Sequence, residues 1–309
     1  MKIKRSNILV TGGAGFIGSS LAQKLCDYGH HVVVADNLET GDFSKIPTST
    51  NCSFIKCDVN NLSEIQPIMT SFKFDFVFHY AALVGVLRTL ENPVKVLEDI
   101  QGIQNILSLS KATGVKKVFY SSSSEVYGEP VELPQHEHKT PLNSRLPYAV
   151  VKNVGEAFCR SYQQEYGLDF TIFRFFNTYG EKQSEDFVIS KFFRCALKNE
   201  DITIYGDGSQ TRTFCHIEDN LEATVKVFEE NLFTNDVLNI GNDHLTTIIE
   251  LAQVIIRLTD SKSKIIFLPP LKEGDMTRRQ PDIGKMKKVL SRDFITLEEG
   301  IKELVKGIN

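Results

Sequence analysis

The sequence predicts an α/β protein: a doubly wound parallel sheet with a smaller α/β lobe at its C-terminal end, interleaved with it. Three observations predict this. Short apolar runs alternate with segments of helical periodicity through the first half of the chain. The first of those runs breaks into a glycine-rich turn that opens a helix. The 309 residues, 41% hydrophobic and 24% charged, suffice for about two domains and a large core.

The elements follow in order. NILVT (7–11) is a first strand, and FIGSSLAQKLCDYG after it carries apolar residues at helical spacing. HVVVAD (31–36), CSFIKCD (52–58), FDFVFHYAA (74–82) and KKVFYSSS (116–123) read as the next four strands, with helical patterns at 62–72 and 93–113 between them. A long helix spans 148–167, closed by Gly167 as a C-cap, and DFTIFRFF (169–176) is another strand. Beyond about residue 177 the pattern loosens into turns and short elements. There DGSQTR (207–212) reads as a loop, and VLNIG (237–241) and KIIFLPP (264–270) as late strands. No repeat, low-complexity tract or Pro-rich linker interrupts the chain. The expected division is a main domain over 1–176, to which a strand near 237–241 returns, and a second lobe mainly from 177–309.

Charge and composition narrow the function classes. A formal charge of −4 argues against general binding to nucleic acid or an anionic membrane. No apolar run approaches the roughly 20 residues that cross a bilayer, and the stretch after Met1 meets glycines too soon for a signal-peptide core. Cys26, Cys52, Cys57, Cys159, Cys195 and Cys215 show no metal or redox spacing. Six reduced thiols in a cytoplasmic protein are expected. His79, on an apolar strand, reads as a packed core residue. His136 and His138 read as part of a solvated loop, so no metal is expected.

TGGAGFIG (11–18) places Gly12, Gly15 and Gly18 between a strand and a helix. A tight turn without Cβ atoms lets the backbone approach a pyrophosphate, and the helix amides then face the anion. Asp36 ends the second strand, where a carboxylate can bond a ribose diol and would repel a 2′-phosphate. Asn37 and Leu38 bring no compensating arginine, so NAD is expected over NADP in a Rossmann-type site. The same site is expected to include Phe16, Ile17, Asn37, Val59 and Ala81, with Asp58 near the adenine amine.

Tyr148 and Lys152 form Y-x-x-x-K on a helix, and a spacing of four puts both on one face. A nearby ammonium and a bound nicotinamide would lower the phenol's pKa toward that of a usable base. Ser123 sits at a strand's carboxyl end, where open parallel sheets bind ligands, and could share a proton with Tyr148. Arg88 follows a strand end and could reach a sugar substituent or a carboxylate.

Taken in order, TGGAGFIG, HYAA, SSSSEVYG (121–128), YAVVK, RFFNTYG (174–180), GDGSQTRTF (206–214) and RRQPDI (278–283) resemble the extended short-chain dehydrogenase/reductases. The resemblance points to the branch of nucleotide-sugar epimerases, dehydratases and decarboxylases. It implies an NAD-dependent enzyme that oxidises carbon 4 of a nucleotide sugar to a 4-keto intermediate. It implies that Ser123, Tyr148 and Lys152 handle the proton, and that Asn177, Arg212 and Arg278 hold the diphosphate and sugar. Ser124 stands where dehydratases carry a catalytic Asp, and the Ser124–Glu125 pair is similar to that of UDP-glucuronate decarboxylases. Glu125 would then act at carbon 5. A decarboxylase is the leading reading, with a 4-epimerase, a 4,6-dehydratase and a non-catalytic NAD-binding sensor as alternatives. The chain departs from the decarboxylases at Asp99, where Asn is usual, at Glu181, and in AALVGVLRTLENP (81–93). A homodimer is expected, with the helices at 93–113 and 148–166 packed into a four-helix bundle through residues such as Val150, Val151, Val154 and Phe158.

Overall fold

Strands buried on both faces must be apolar almost throughout, and the early runs of this chain are. In the computed structural model, which describes residues 3–270 and 278–307, they form one seven-stranded parallel sheet. The first half runs β1 (Asn7–Thr11), α1 (Phe16–Asp27), β2 (His31–Asp36), β3 (Cys52–Lys56), α2 (Leu62–Phe72), β4 (Phe76–His79), α3 (Val86–Glu91), α4 (Pro93–Thr113), β5 (Lys117–Ser123), α5 (Pro147–Tyr166) and β6 (Asp169–Phe175). The second half runs β7 (Thr178–Tyr179), α6 (Val188–Leu197), β8 (Ile202–Tyr205), β9 (Thr211–Thr213), β10 (Cys215–His216), α7 (Ile217–Glu229), β11 (Asp236–Ile240), β12 (Leu245–Thr247), α8 (Ile248–Leu258), β13 (Ile265–Leu268), α9 (Gly284–Val289) and α10 (Leu297–Lys306).

Strand order is β3-β2-β1-β4-β5-β6-β11. Winding therefore reverses between β1 and β4, which opens a crevice beyond their carboxyl ends. Lys117–Ser123 is buried along its whole length at the middle of the sheet. Gly167, with φ +70°, closes α5 as expected, its N–H donating to the Gln163 carbonyl. One face of the sheet carries stacked rings, Phe78 on Phe119 at 4.4 Å and Phe119 on Phe173 at 6.0 Å, with Phe228 of α7 edge-on above them. That core also takes in Leu221, Ile240, Met286 and Val289, so late segments complete the early sheet. A separate core of Ile189, Phe192, Ile204, Leu251, Ile255 and Ile301 holds α6, β8, α8 and α10 together.

The expected loosening after residue 177 is not what the structure shows. Among the described residues four helices of ten or more residues lie there, α8 and α10 each opening on a capping box, Thr247 with Glu250 and Thr296 with Glu299. Their apolar residues have ordinary helical spacing, as in Ile248, Leu251, Ala252 and Ile255. The short β-elements between them mask that signal. The α3 turn within 81–93 was also not expected.

Candidate active site

A cleft of about 840 Å³ lies beyond the carboxyl ends of the central strands, between the sheet and the second lobe. At its first end, backbone sets the shape. Gly12 has φ +67°, and a Cβ there would sit 2.6 Å from the Ala81 nitrogen. A Cβ on Gly18 would sit 2.3 Å from the Gly12 carbonyl oxygen, so α1 can start against the turn only without side chains. The first turn of α1 carries no side-chain cap and no acidic residue, which suits its amides to an anion. Asp36 is buried, its Oδ2 accepting from Ala14 N at 3.0 Å and its Oδ1 from Leu38 N at 2.8 Å. Those bonds aim the carboxylate and leave lone pairs for a ribose diol. Gly15, Phe16, Ile17, Asn37, Asp58, Val59 and Ala81 line the same end. A cradle that any Cβ would fill, ending in a fixed carboxylate, fits NAD, which when bound supplies the hydride acceptor. Glu39 and Lys95 pair across the mouth of this end.

The middle of the cleft holds Ser123, Tyr148 and Lys152. Ser123 is the last residue of β5, and its Oγ accepts from Glu125 N at 3.1 Å. Tyr148 and Lys152 do share a face of α5. The Lys152 Nζ donates to the Ser121 carbonyl at 2.7 Å and lies 5.7 Å from the Tyr148 ring centroid. Gly155 makes this possible: a Cβ there would meet the Tyr120 hydroxyl at 2.2 Å, so only glycine lets α5 lie this close to β5. Burial pushes the Lys152 ammonium down to about 8, against the charge of Asp99, which favours its protonation. Burial also raises the Tyr148 phenol, the Glu125 charge adding to the rise while a hydrogen bond with Ser123 opposes it. The expected lowering of this phenol calls for a bound nicotinamide as well as the nearby ammonium; among the protein's own groups desolvation is the largest effect and raises it.

Glu125 stands in the single turn that follows Ser123. Its Oε1 pairs with the Arg279 guanidinium at 2.7 Å, while its Oε2 is buried with no hydrogen-bond partner among the described residues. Beneath the pair runs a buried network. Ser122 Oγ and Arg174 Nε both donate to Glu156 Oε1, at 2.7 and 2.8 Å, and Arg174 also donates to the Tyr127 hydroxyl, which donates in turn to Asn239 Oδ1. Burial pushes Glu156 up, but the Arg174 hydrogen bonds and charge outweigh it, and its carboxyl lies below the usual range. Asn239 and Gln135 then bond the backbone of 280–282, fixing the segment that presents Arg279.

The substrate end departs from expectation in three places. Arg278 is exposed, donates to Gln280 Oε1 at 3.1 Å and does not line the cleft; Arg279 beside it does. In an extended segment neighbouring side chains point to opposite sides, so the choice between adjacent arginines is a choice of face. Arg88 also does not line the cleft. It pairs with Asp186 at 2.7 Å and donates to the Val84 carbonyl, joining the α3 turn to the segment before α6 at the cleft's edge. Arg212 lines the cleft but from β9, paired antiparallel with β12, not from a loop. Ser124 and Asn177 line it too, with Asn177 at φ +36° donating to the Thr213 carbonyl. Arg279, Asp99 and Asp186 are cleft residues that the sequence reading did not place there; the second arginine of RRQPDI was the available signal for the first.

Elsewhere, His79 is buried against Thr11 Oγ1 at 2.8 Å, and burial pushes it down to about 3. His138 pairs with Asp236 at 2.9 Å. Among the described residues no group of three or more His, Cys, Asp or Glu could hold a metal, and no helix is long and apolar enough to cross a membrane.

Comparison with known proteins agrees with this geometry. Residues 8–241 match the model of the NAD dependent epimerase/dehydratase family. The UDP-N-acetyl-alpha-D-glucosaminuronate decarboxylase of Bacillus cytotoxicus is 34% identical, over 98% of this chain and 97% of its own length. UDP-glucuronic acid decarboxylase 1 of Danio rerio is 36% identical, over 98% of this chain and 72% of its own. Among solved structures, the Thermotoga maritima UDP-glucose 4-epimerase with UDP-glucose superposes with a TM-score of 0.91 at 31% identity, covering 98% of this chain and 99% of that one. The chain therefore belongs to the NAD dependent epimerase/dehydratase family, as an NAD-dependent enzyme of the extended short-chain type that modifies nucleotide sugars.

Proposed function

We propose that the protein decarboxylates a UDP-hexuronate of the glucuronate type. The observation that carries this reading is the Glu125–Arg279 pair inside the cleft, beside Ser123 and Tyr148. Burying two charges costs several kcal/mol per ion, so the pair requires a reason. A substrate carboxylate supplies one: Arg279 can exchange Glu125 for it in a bidentate contact. Tyr148, through Ser123, takes the proton of the carbon 4 hydroxyl, while Lys152 holds positive charge beneath it. With bound NAD as hydride acceptor, loss of the carbon 4 hydride would give a ketone and make the substrate a β-keto acid. Carbon dioxide would leave to give a stabilised enolate, and after protonation at carbon 5 the hydride would return to carbon 4. Glu125, freed from Arg279 and with Oε2 already unpartnered, then handles the proton at carbon 5. Asn177 and Arg212 hold the nucleotide diphosphate. A simple 4-epimerase does nothing at carbon 5 and has no use for this pair.

The same reading takes the protein as a cytoplasmic homodimer, supported by six unpaired thiols and by apolar side chains that α4 and α5 leave exposed, Val94 and Val150 among them.

The test is incubation with UDP-glucuronate, UDP-N-acetylglucosaminuronate, UDP-glucose and dTDP-glucose, with products read by mass spectrometry. Loss of carbon dioxide from a uronate is expected. An isomer of unchanged mass from UDP-glucose would make the protein a 4-epimerase, loss of water a dehydratase, and no turnover of any substrate a sensor. On the active uronate, Glu125→Gln should slow product formation by about a hundredfold or more, with NADH accumulating because oxidation at carbon 4 survives.

A further inference from the structure

Ser122 on β5, Arg174 on β6 and Asn239 on β11 stand at one register on adjacent strands, so their side chains share one face of the sheet. All three are buried, as are Glu156 of α5 and Tyr127, the last residue of the turn after Ser123. A charged row in such a place is costly unless its members are bonded. Glu156 takes Ser122 and two nitrogens of Arg174, Nε at 2.8 Å and Nη2 at 2.7 Å. The third nitrogen, Nη1, donates to the Tyr127 hydroxyl at 2.8 Å and to the Glu137 carbonyl at 3.0 Å. An arginine can only donate, so the hydroxyl accepts there and gives its own proton to Asn239 Oδ1 at 2.7 Å. The Asn239 amide nitrogen is then left to donate to the carbonyls of Gln135 at 2.9 Å and Asp282 at 3.2 Å.

Those carbonyls belong to the pairing that carries Arg279. Segment 278–282 bridges to Thr211 at Arg278 and to Gln135 at Pro281, and Arg279 stands between the two holds. Glu125, the partner of Arg279, lies two residues before Tyr127 in the same turn, which Gly128 N closes by donating to the Glu125 carbonyl at 3.1 Å. Both halves of the ion pair therefore hang on one hydroxyl, Glu125 along the turn and Arg279 through Asn239.

We propose that Tyr127 is a positioning residue whose hydroxyl, by joining Arg174 to Asn239, holds Arg279 facing Glu125 and the substrate in the cleft. The hold on Arg279 involves no substrate; its effect on a substrate carboxylate rests on the decarboxylase reading.

The first test therefore uses no substrate: a double-mutant cycle in melting midpoint, on the full chain at one fixed NAD concentration. Arg279→Gln should lower the midpoint more when Glu125 is present than in Glu125→Gln protein, and that excess reads how well the two charges meet. Tyr127→Phe keeps the ring that packs on the Arg174 guanidinium at 4.8 Å and on Phe176 at 6.0 Å, so the fold should survive. The excess should fall by about half or more in this variant, and likewise in Asn239→Ala, which removes the other end of the link. A merely structural role would lower every midpoint and leave the excess unchanged, which would overturn the proposal. The second test is calorimetry with UDP-glucuronate and UDP in a Tyr148→Phe background, where turnover is stopped. Tyr127→Phe should weaken UDP-glucuronate about tenfold, leave UDP within about twofold, and add nothing once Arg279 is Gln. If Arg279→Gln weakens UDP-glucuronate selectively but Tyr127→Phe weakens both ligands equally, the proposal fails. If Arg279→Gln shows no selectivity, the decarboxylase reading fails, and the melting cycle alone decides the role of Tyr127.

Discussion

The two ends of the cleft achieve position by different means. At the cofactor end it is main chain that decides: Gly12 and Gly18 touch backbone, and Asp36 is aimed by two amides. At the substrate end it is long side chains on short elements: Arg212 on a three-residue strand, Glu125 in one turn, Arg279 in a segment laced to Asn239. Each of the paired charges there is held by an opposite charge. A backbone cradle binds one shape and cannot adapt without the sheet moving. An ion pair such as Glu125–Arg279 can open and re-form on a ligand, so chemistry can vary there while the cofactor end stays fixed.

The sharpest way to probe the region where these ends meet is Tyr148→Phe. Removing the hydroxyl should lower kcat by about 10²–10⁴-fold while nucleotide-sugar affinity, measured calorimetrically, stays nearly unchanged, because the proton moves only in the transition state. Near-normal turnover would end the assignment. Next in size comes the contrast between adjacent arginines. Arg279→Gln leaves Glu125 buried without its partner and should cost about 3–5 kcal/mol of combined stability and transition-state binding. Arg278→Gln, exposed, should change melting and kcat/KM little; equal losses in the two would show that the face of this segment has been misassigned. At the rigid end, Asp36→Ala should weaken NAD by about 1.5–3 kcal/mol, read by nicotinamide fluorescence on titration with NADH, and should narrow the preference over NADP. The smallest effect is expected at the edge: Arg88→Ala removes a half-exposed pair with Asp186 and should alter KM by a factor equivalent to about 0.2–1 kcal/mol, fading as salt is raised.

The same division explains what could be read in advance. Glycine turn, strand-end carboxylate and the Tyr148–Lys152 helix face are local patterns, each contained in a dozen residues or fewer, and they come together in one cleft. Arg279 is a tertiary fact. Its neighbour Arg278 has the same chemistry, and long-range pairings of this segment with Gln135, Asn239 and Thr211 decide which of them faces inward. Arg88 was legible as an arginine near a strand end, but its partner Asp186 lies 98 residues away. The rise that burial imposes on Tyr148 was not legible in the spacing, because desolvation depends on everything that closes around the hydroxyl.

The sheet's late closure bears on how this chain is made. Ile8, Val10, Val32 and Phe119 on one face of the early strands are covered by Leu221, Phe228, Met286 and Val289, and the last strand is β11. A nascent chain leaving the ribosome from its N-terminus therefore has this apolar face covered only in part, by Leu21, Ala22 and Leu25 of α1, until nearly all of it has emerged. A chain stopped at residue 176 would be expected to aggregate instead of folding into a nucleotide-binding unit. Synthesis and assembly are thus coupled over most of the polypeptide, and the protein has every reason to depend on chaperones during that interval even if the finished fold is stable.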